Sequence, residues 1–211
     1  MVKLVFATGN KGKLREASEI LGENFELLTP VQVGIEEEIP ETGTTLRANS
    51  LQKAQYIYDA CGCDCFADDT GLEVDALGGA PGVYTARYAG EGKDFNQNMD
   101  KVLDELAIKE CEASMAAAMG LSVKKVTRRA RFRSVVTLMM DGSIHYFDGT
   151  LEGVIARGKS GNGGFGYDPI FMADEYPGMS LADVTEEQKN EISHRGKALR
   201  AMSEWLTENG Y

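Results

Sequence analysis

The chain has 211 residues with 22 Lys+Arg against 33 Asp+Glu, a net charge of −11, and its length suits one domain at the usual roughly 100–200 residues each. That acidity argues against a nonspecific nucleic-acid binder, which holds phosphates with a basic surface. Apolar residues at 43% supply a core and exclude the low-hydrophobicity composition of disorder.

Residues 2–8 form a compact apolar strand, far short of the roughly 18 residues of a membrane span. They also lack the apolar core and cleavage site of a signal peptide, so a cytoplasmic protein without membrane association is expected. Gly9-Asn10 breaks the strand, and Leu14, Ala17, Ile20 and Leu21 then recur at helical spacing. Gly22 and Asn24 end that helix. A second helix over 44–60 carries Leu46, Leu51, Ala54, Ile57 and Tyr58 on its inner stripe and stops at Gly62. Cys65-Phe66-Ala67 reads as a short buried strand ending abruptly at Asp68-Asp69-Thr70-Gly71. Residues 78–82 form a loop, and Phe95, Met99, Val102, Leu103 and Leu106 mark a third helix. Residues 108–125, with Ala116-Ala117-Ala118 and then Gly120, read as an exposed insertion with helical leanings. Segments 131–140 and 143–148 flank Asp141-Gly142, a hairpin signal because a tight primed turn needs φ > 0. Residues 150–156 read as another strand, and 158–166 as a glycine-rich loop. Thr185-Glu186-Glu187-Gln188 has the capping-box pattern, and Ala198, Leu199, Met202, Trp205 and Leu206 give a final amphipathic helix. This order argues for an α/β or α+β fold on a mixed sheet.

Cysteine and histidine narrow the chemistry. Cys61, Cys63 and Cys65 are too close together for a disulfide framework and lack the Cys-x-x-Cys spacing of structural zinc sites. They read as reduced thiols, small hydrophobes between a helix and a buried strand, with soft-metal binding as the alternative. Only His145 and His194 are available for zinc sites or His-based triads.

Three segments can carry chemistry. Thr8-Gly9-Asn10-Lys11-Gly12-Lys13 joins a strand to a helix, where unpaired N–H groups favour anions and glycine permits close approach. It lacks the Walker A spacing, and an ordinary turn with solvated lysines has the same composition. Asp68 and Asp69 are costly to place together unless a cation or donors compensate. Hard carboxylate oxygens suit Mg²⁺ with substrate phosphates, and Glu41 precedes the helix leading there; an Asp-rich turn is the plainer reading. Residues 161–169 set Phe165, Gly166, Tyr167 and Asp168 in a glycine-rich loop able to offer a flat face to a nucleobase, or merely to dock on the core. Lys189, His194, Arg195 and Lys197 cluster at a helix junction, as an anion site or as a solvated face paired with Glu186, Glu187 and Glu191.

In order, Thr-Gly-Asn-x-x-Lys, Glu-Thr-Gly with Asn49, Ala-Asp-Asp-Thr-Gly-Leu, Leu-Gly-Gly-Ala-Pro-Gly-Val-Tyr-x-Ala-Arg-Tyr, Gly-Gly-Phe-Gly-Tyr-Asp-Pro and Lys-x-x-Ile-Ser-His-Arg resemble the inosine triphosphate pyrophosphatase family. The resemblance runs from residue 3 to 206. It departs at 108–125, which is longer than expected, and at Thr70, where bacterial members often have Ser. The resemblance implies an elongated α/β domain over 1–211, a long mixed sheet flanked by helices with two lobes around a central nucleotide cleft. It implies Mg²⁺-dependent hydrolysis of inosine, deoxyinosine and xanthosine triphosphates to monophosphate and pyrophosphate, cleansing the nucleotide pool, and a homodimer. Thr8, Gly9, Asn10, Lys11, Gly12 and Lys13 would bind the triphosphate, and Asp69 would accept the proton from water and bind metal with Glu41. Thr70 would touch substrate, Phe165 through Asp168 would wall the base and sugar, and Lys189, His194 and Arg195 would complete the site. Arg87 lies in a matching motif without an assigned role. The alternatives are a non-catalytic nucleotide-binding module, a thiol-based redox or metal protein, and a related pyrophosphatase of different base preference.

Overall fold

The structure, a computed structural model, describes residues 1–161 and 163–211. A mixed six-stranded sheet in the order β2-β1-β3-β4-β5-β6 organises the chain. β1 (Val2–Phe6) pairs in parallel with β2 (Phe25–Leu28) and with β3 (Cys65–Val74), setting Phe6 opposite Phe66. β4 (Arg129–Met140) turns into β5 (Ser143–Ile155) through Asp141 and Gly142, both at positive φ as the hairpin reading requires. β6 (Phe171–Ala173) lies antiparallel on β5. Among the described residues no helix is long and apolar enough to cross a membrane.

The chain divides into two compact units, and β3, β4 and β5 each contribute residues to both. The first comprises Met1–Thr70, Arg133–Thr150 and Ser193–Tyr211. Period-2 alternation sends neighbouring strand residues to opposite faces. Leu4, Phe6 and Phe66 therefore pack on α1 (Lys11–Leu21) and α5 (His194–Glu208), with the Phe6 and Phe66 rings stacked 4.3 Å apart. Val5, Ala7, Cys65 and Ala67 pack instead with Ala54 and Ile57 of α2 (Leu46–Cys61). The second unit, Gly71–Phe132 and Leu151–Ile192, centres on Leu72, Val74, Phe132, Ile155, Ile170 and Phe171 against Met99, Val102 and Leu106 of α3 (Phe95–Ala118).

The helix boundaries follow local chemistry. Asn10, Thr45 and Asp94 cap α1, α2 and α3 through side-chain oxygens, and Gly62 ends α2 in the left-handed region. Thr185 and Gln188 cap α4 (Glu186–Ile192) reciprocally: the Gln188 amide donates to Thr185 Oγ1 at 3.3 Å, and the Thr185 amide to Gln188 Oε1 at 3.2 Å.

Two expectations need correction, the insertion reading is refined, and two short strands are added. β3 does not stop at Asp68; it continues to Val74, because Leu72 and Val74 extend the buried pattern and basic partners compensate Asp68. The segments 143–148 and 150–156 are one strand. Most of the insertion is α3 itself, 24 residues long, and the rest is exposed chain after Gly120. β2 and β6, of four and three residues, are too short to leave a period in the sequence.

β5 stays continuous because Gly149 has no side chain. A Cβ there would lie 2.0 Å from the His194 carbonyl oxygen and 2.6 Å from the Ala198 nitrogen, both backbone atoms at the start of α5. Gly149→Ala is therefore expected to destabilise by at least the usual overpacking cost of about 1–3 kcal/mol, lowering the melting temperature in a circular-dichroism scan. An unchanged melt would mean that α5 moves aside freely.

Candidate active site

The first cluster lies wholly in the first unit. Where β1 passes into α1, Thr8 Oγ1 accepts from the Asn10 amide at 3.2 Å, and Asn10 Oδ1 accepts from the amides of Gly12 and Lys13 at 2.8 and 3.2 Å. These oxygens shape the turn that the resemblance assigns to phosphate. Gly9, Asn10, Lys11 and Gly12 are exposed, and Gly9 has open space where a Cβ would stand. Lys13 turns inward instead of facing solvent. Its Nζ lies 2.9 Å from both carboxylate oxygens of Asp68.

Asp68 is only 1% exposed. Besides Lys13 it accepts from Arg195 Nε at 3.0 Å. Arg195 Nη1 is 3.0 Å from Glu16 Oε2, and Glu16 Oε1 accepts from the Ser193 hydroxyl at 3.2 Å. Ser193 in turn accepts from the Gly196 amide at the start of α5. Burial alone would raise the Asp68 pKa, but the charges of Lys13, Arg195 and Lys53 outweigh it and hold the carboxyl well below the usual range. His194 is pushed down to about 3 by burial and by the Arg195 charge, so it is neutral at pH 7.

Asp69 points to the opposite face of β3, towards α2. Asn49 Nδ2 donates to Asp69 Oδ2 at 3.1 Å, and Lys53 Nζ stands 3.7 Å from Asp69 Oδ1. The same Lys53 ammonium lies 2.5 Å from Glu41 Oε1. Lys53 is 7% exposed, yet Asp69, Asp68 and Glu41 overcome its desolvation and raise its pKa. Burial raises that of Asp69, and Glu41 and Asp68 add to this against the opposing pull of Lys53 and Asn49. Asn49 also accepts from the Gly43 amide at 2.7 Å, fastening the loop that carries Glu41. A Cβ on Gly43 would lie 2.8 Å from Asn49 Oδ1. Thr70 Oγ1 donates to Ser134 Oγ at 3.1 Å.

Glu41 and Asp69 are thus two hard oxygen donors gathered around one buried cation. That donor chemistry fits a magnesium-type ion, which commonly takes one or two carboxylates and completes its shell with water and substrate phosphates. Among the described residues no group of three or more His, Cys, Asp or Glu is placed to hold a metal, so substrate oxygens would be part of any such site. The thiols of Cys61, Cys63 and Cys65 donate to the carbonyls of Ile57, Cys61 and Ala54. The hydrogen bond of Cys63 to Cys61 raises its thiol pKa to about 11, and burial pushes Cys65 up to about 12, so both stay protonated at pH 7.

The second cluster belongs to the second unit. Phe165 is 76% exposed and meets Phe95 edge-on, 4.5 Å between centroids. Its amide donates to Asp168 Oδ2 at 2.9 Å, and Lys189 Nζ reaches the same oxygen at 3.3 Å and Glu186 at 3.2 Å. The turn requires glycine at 164 and 166, both at positive φ; a Cβ on Gly164 would also stand 2.6 Å from that of Asp168. Tyr167 is a correction: it is 2% exposed and its hydroxyl donates to the Thr85 carbonyl at 2.9 Å, so it braces the loop and offers no face to a base. Asn162, within the glycine-rich motif, lies outside the described residues. Arg87 rests its guanidinium 5.5 Å above the Tyr84 ring.

Sequence alone assigns nothing to Glu16, Lys53 or the clamp on Asp68, and it names Asn49 only as part of a motif, without a role. Lys53 had a signal: it lies between Leu46 and Ile57 on the inner stripe of α2, where a charge needs a buried partner. Glu16, next to a buried Ala17, had none.

A family model described as the Ham1 family matches residues 4–205. A Flavobacterium psychrophilum protein named dITP/XTP pyrophosphatase is 43% identical over 205 residues, 97% of this chain and 99% of its own. A Bacillus subtilis protein of the same name is 39% identical over 98% of both chains. Among solved structures, a HAM1 protein from Coxiella burnetii matches with a TM-score of 0.86 and 34% identity, over 99% of this chain and 100% of its own.

Proposed function

The chain belongs to the Ham1 family, and from that premise we propose that it hydrolyses non-standard purine nucleoside triphosphates, those of inosine, deoxyinosine and xanthosine, to monophosphate and pyrophosphate. The observation that carries the chemistry is the pairing of Asp69 and Glu41 around Lys53. A pure binding module has little use for carboxylates beside a phosphate chain.

The roles follow from charge. Asp69, basic for an aspartate, accepts the proton of the attacking water. Glu41 and Asp69 would hold Mg²⁺, which when bound offsets phosphate charge and makes water more acidic. Lys53 stays protonated and offsets the same carboxylates. The start of α1, from Thr8 to Lys13, directs its N-terminal dipole at the triphosphate, with Lys11 as the exposed cation. Asp68 holds Lys13 and Arg195, and Thr70 and the neutral His194 flank substrate. Contact to base and sugar is assigned to Phe165, Gly166, Asp168 and Lys189, with the exposed Phe165 ring as the stacking face. Such an enzyme clears deaminated purines from the cytoplasmic nucleotide pool and acts as a homodimer.

Product analysis with inosine and guanosine triphosphates side by side, with Mg²⁺ and with chelator, tests this. Metal-dependent monophosphate and pyrophosphate, released much faster from the inosine substrate, is the expected result. Orthophosphate as product would mean that a different bond is cut. Absence of turnover would return the chain to a nucleotide-binding module.

A further inference from the structure

Helical spacing sets Phe95 on one stripe of α3 with Met99, Val102 and Leu106. Among the described residues those three belong to the core of the second unit, and Phe95, half-buried, does not. It is the first residue of the helix, directly after the Asp94 cap, a place where polar or acidic side chains are usual. A large ring there gains little from the core, and its contacts lie elsewhere. It meets the Phe165 ring at 4.5 Å between centroids and 63° between planes. A Cβ on Gly166 would stand 3.8 Å from Phe95 Cε1. Phe95 thus packs against two consecutive residues at the tip of the glycine-rich loop, within the same unit.

That loop has little of its own with which to fix a ring. Residues 161, 163, 164 and 166 are all glycine, which leaves a backbone permissive. The Ser160 amide closes the base of the loop on the Pro169 carbonyl at 2.9 Å, and the Phe165 amide donates to Asp168. These bonds hold the backbone of Phe165 and leave its side-chain torsions free. Phe95 is the ring partner that Phe165 has among the described residues. A second tie runs beside it: Lys159 Nζ lies 2.7 Å from Asp100 Oδ1 and 3.3 Å from the Asn96 carbonyl oxygen, both early in α3. We infer that Phe95 is a positioning residue for base recognition. The start of α3 sets, through this ring, the plane in which Phe165 meets the purine, and Lys159 anchors the same loop at its root. The inference rests on the reading of Phe165 as the stacking face. Aromatic pairs prefer defined geometries, and a ring already held in one loses less freedom when a ligand arrives. Stacking uses the face of a base and not its edge. Phe95 therefore strengthens the grip on inosine and guanosine nucleotides alike and leaves the choice between them to other groups.

Steady-state kinetics with inosine triphosphate on the full chain tests this. Phe95→Ala is expected to raise KM about two- to tenfold, the span to which the worth of one aromatic pair converts. The kcat should stay within about twofold of the parent, as for a loss of uniform binding. The ratio of kcat/KM for inosine over guanosine triphosphate should not change. Phe95→Tyr, which restores a ring edge, should return KM to the parent value. The decisive arm is the cycle with Phe165→Ala: once the Phe165 ring is gone, adding Phe95→Ala should raise KM no further. An unchanged KM in Phe95→Ala, a loss confined to kcat, a Phe95→Tyr variant no better than Phe95→Ala, or effects that multiply in the double variant would overturn the positioning role. A Phe165→Ala variant with the KM of the parent would instead overturn the stacking reading on which it rests.

Discussion

Asp69→Asn is expected to lower kcat by about 10²–10⁴-fold, the contribution typical of a positioned general base, while nucleotide still binds. The substitution keeps the shape of the side chain and its place beside Asn49, but removes the charge that faces Lys53. Steady-state kinetics and titration calorimetry on the same preparation separate the two effects. Lost turnover with retained binding supports Asp69 as proton acceptor. Turnover within tenfold of the parent would move that role to another group, and loss of both would mean that Asp69 chiefly holds the fold.

Asp68→Asn is expected to act on stability. It leaves Lys13 and Arg195 half-buried around an uncharged amide, and breaking a buried pair in this way typically costs about 3–5 kcal/mol. The lower part of that range is expected, because both cations retain some solvent contact and Arg195 keeps Glu16. The pH dependence has a definite sign. The Asp68 carboxyl is held below its unfolded value, so its contribution is complete above about pH 4, the ordinary Asp range, and is lost as acid titrates it. His194 acts at higher pH. Its pKa is about 3 in the folded chain and about 6.5 unfolded, so the unfolded state takes up the proton first and stability declines as pH falls from about 6.5 towards 3. Melting temperatures between pH 3 and 8 should show both declines in the parent. In Asp68→Asn the curve should start lower and lack the extra loss below about pH 4. A variant that melts like the parent at pH 7 would mean that Lys13 and Arg195 find water as easily as they found Asp68.

Much of the fold was legible because its signals are local. Asn10, Thr45 and Gly62 bound their helices by capping within a few residues, and Asp141-Gly142 turns its hairpin by its own backbone preference. What was not legible depends on distant partners. Two adjacent acids look untenable in a buried strand, so sequence alone ends β3 at Asp68. They are tenable because Lys13 approaches from 55 residues away and Arg195 from 127. An aromatic in a glycine-rich loop has no local instruction about which way to turn, so from sequence Tyr167 reads as a wall of the base site. The carbonyl that draws it inward belongs to Thr85, 82 residues earlier. The motif located the chemistry, and packing divided it among side chains.

The alternation of β3 bears on how the chain folds as well as on what it does. Phe66 and Asp68 share one face, against Phe6, α1 and α5, while Asp69 faces α2. A slip of one residue would turn every side chain of the strand to the wrong side. Ala67 or Asp69 would then occupy the place of Asp68, and Phe66 would lose its stack on Phe6. An acid in that slot without its neighbours in place, or two cations facing an alanine, is a costly error where solvent is excluded. Alignment is thus checked from both faces before any substrate arrives: a slip that brings Ala67 into the slot deprives Lys13 and Arg195 of their carboxylate, and one that brings Asp69 there sets Thr70 before Lys53.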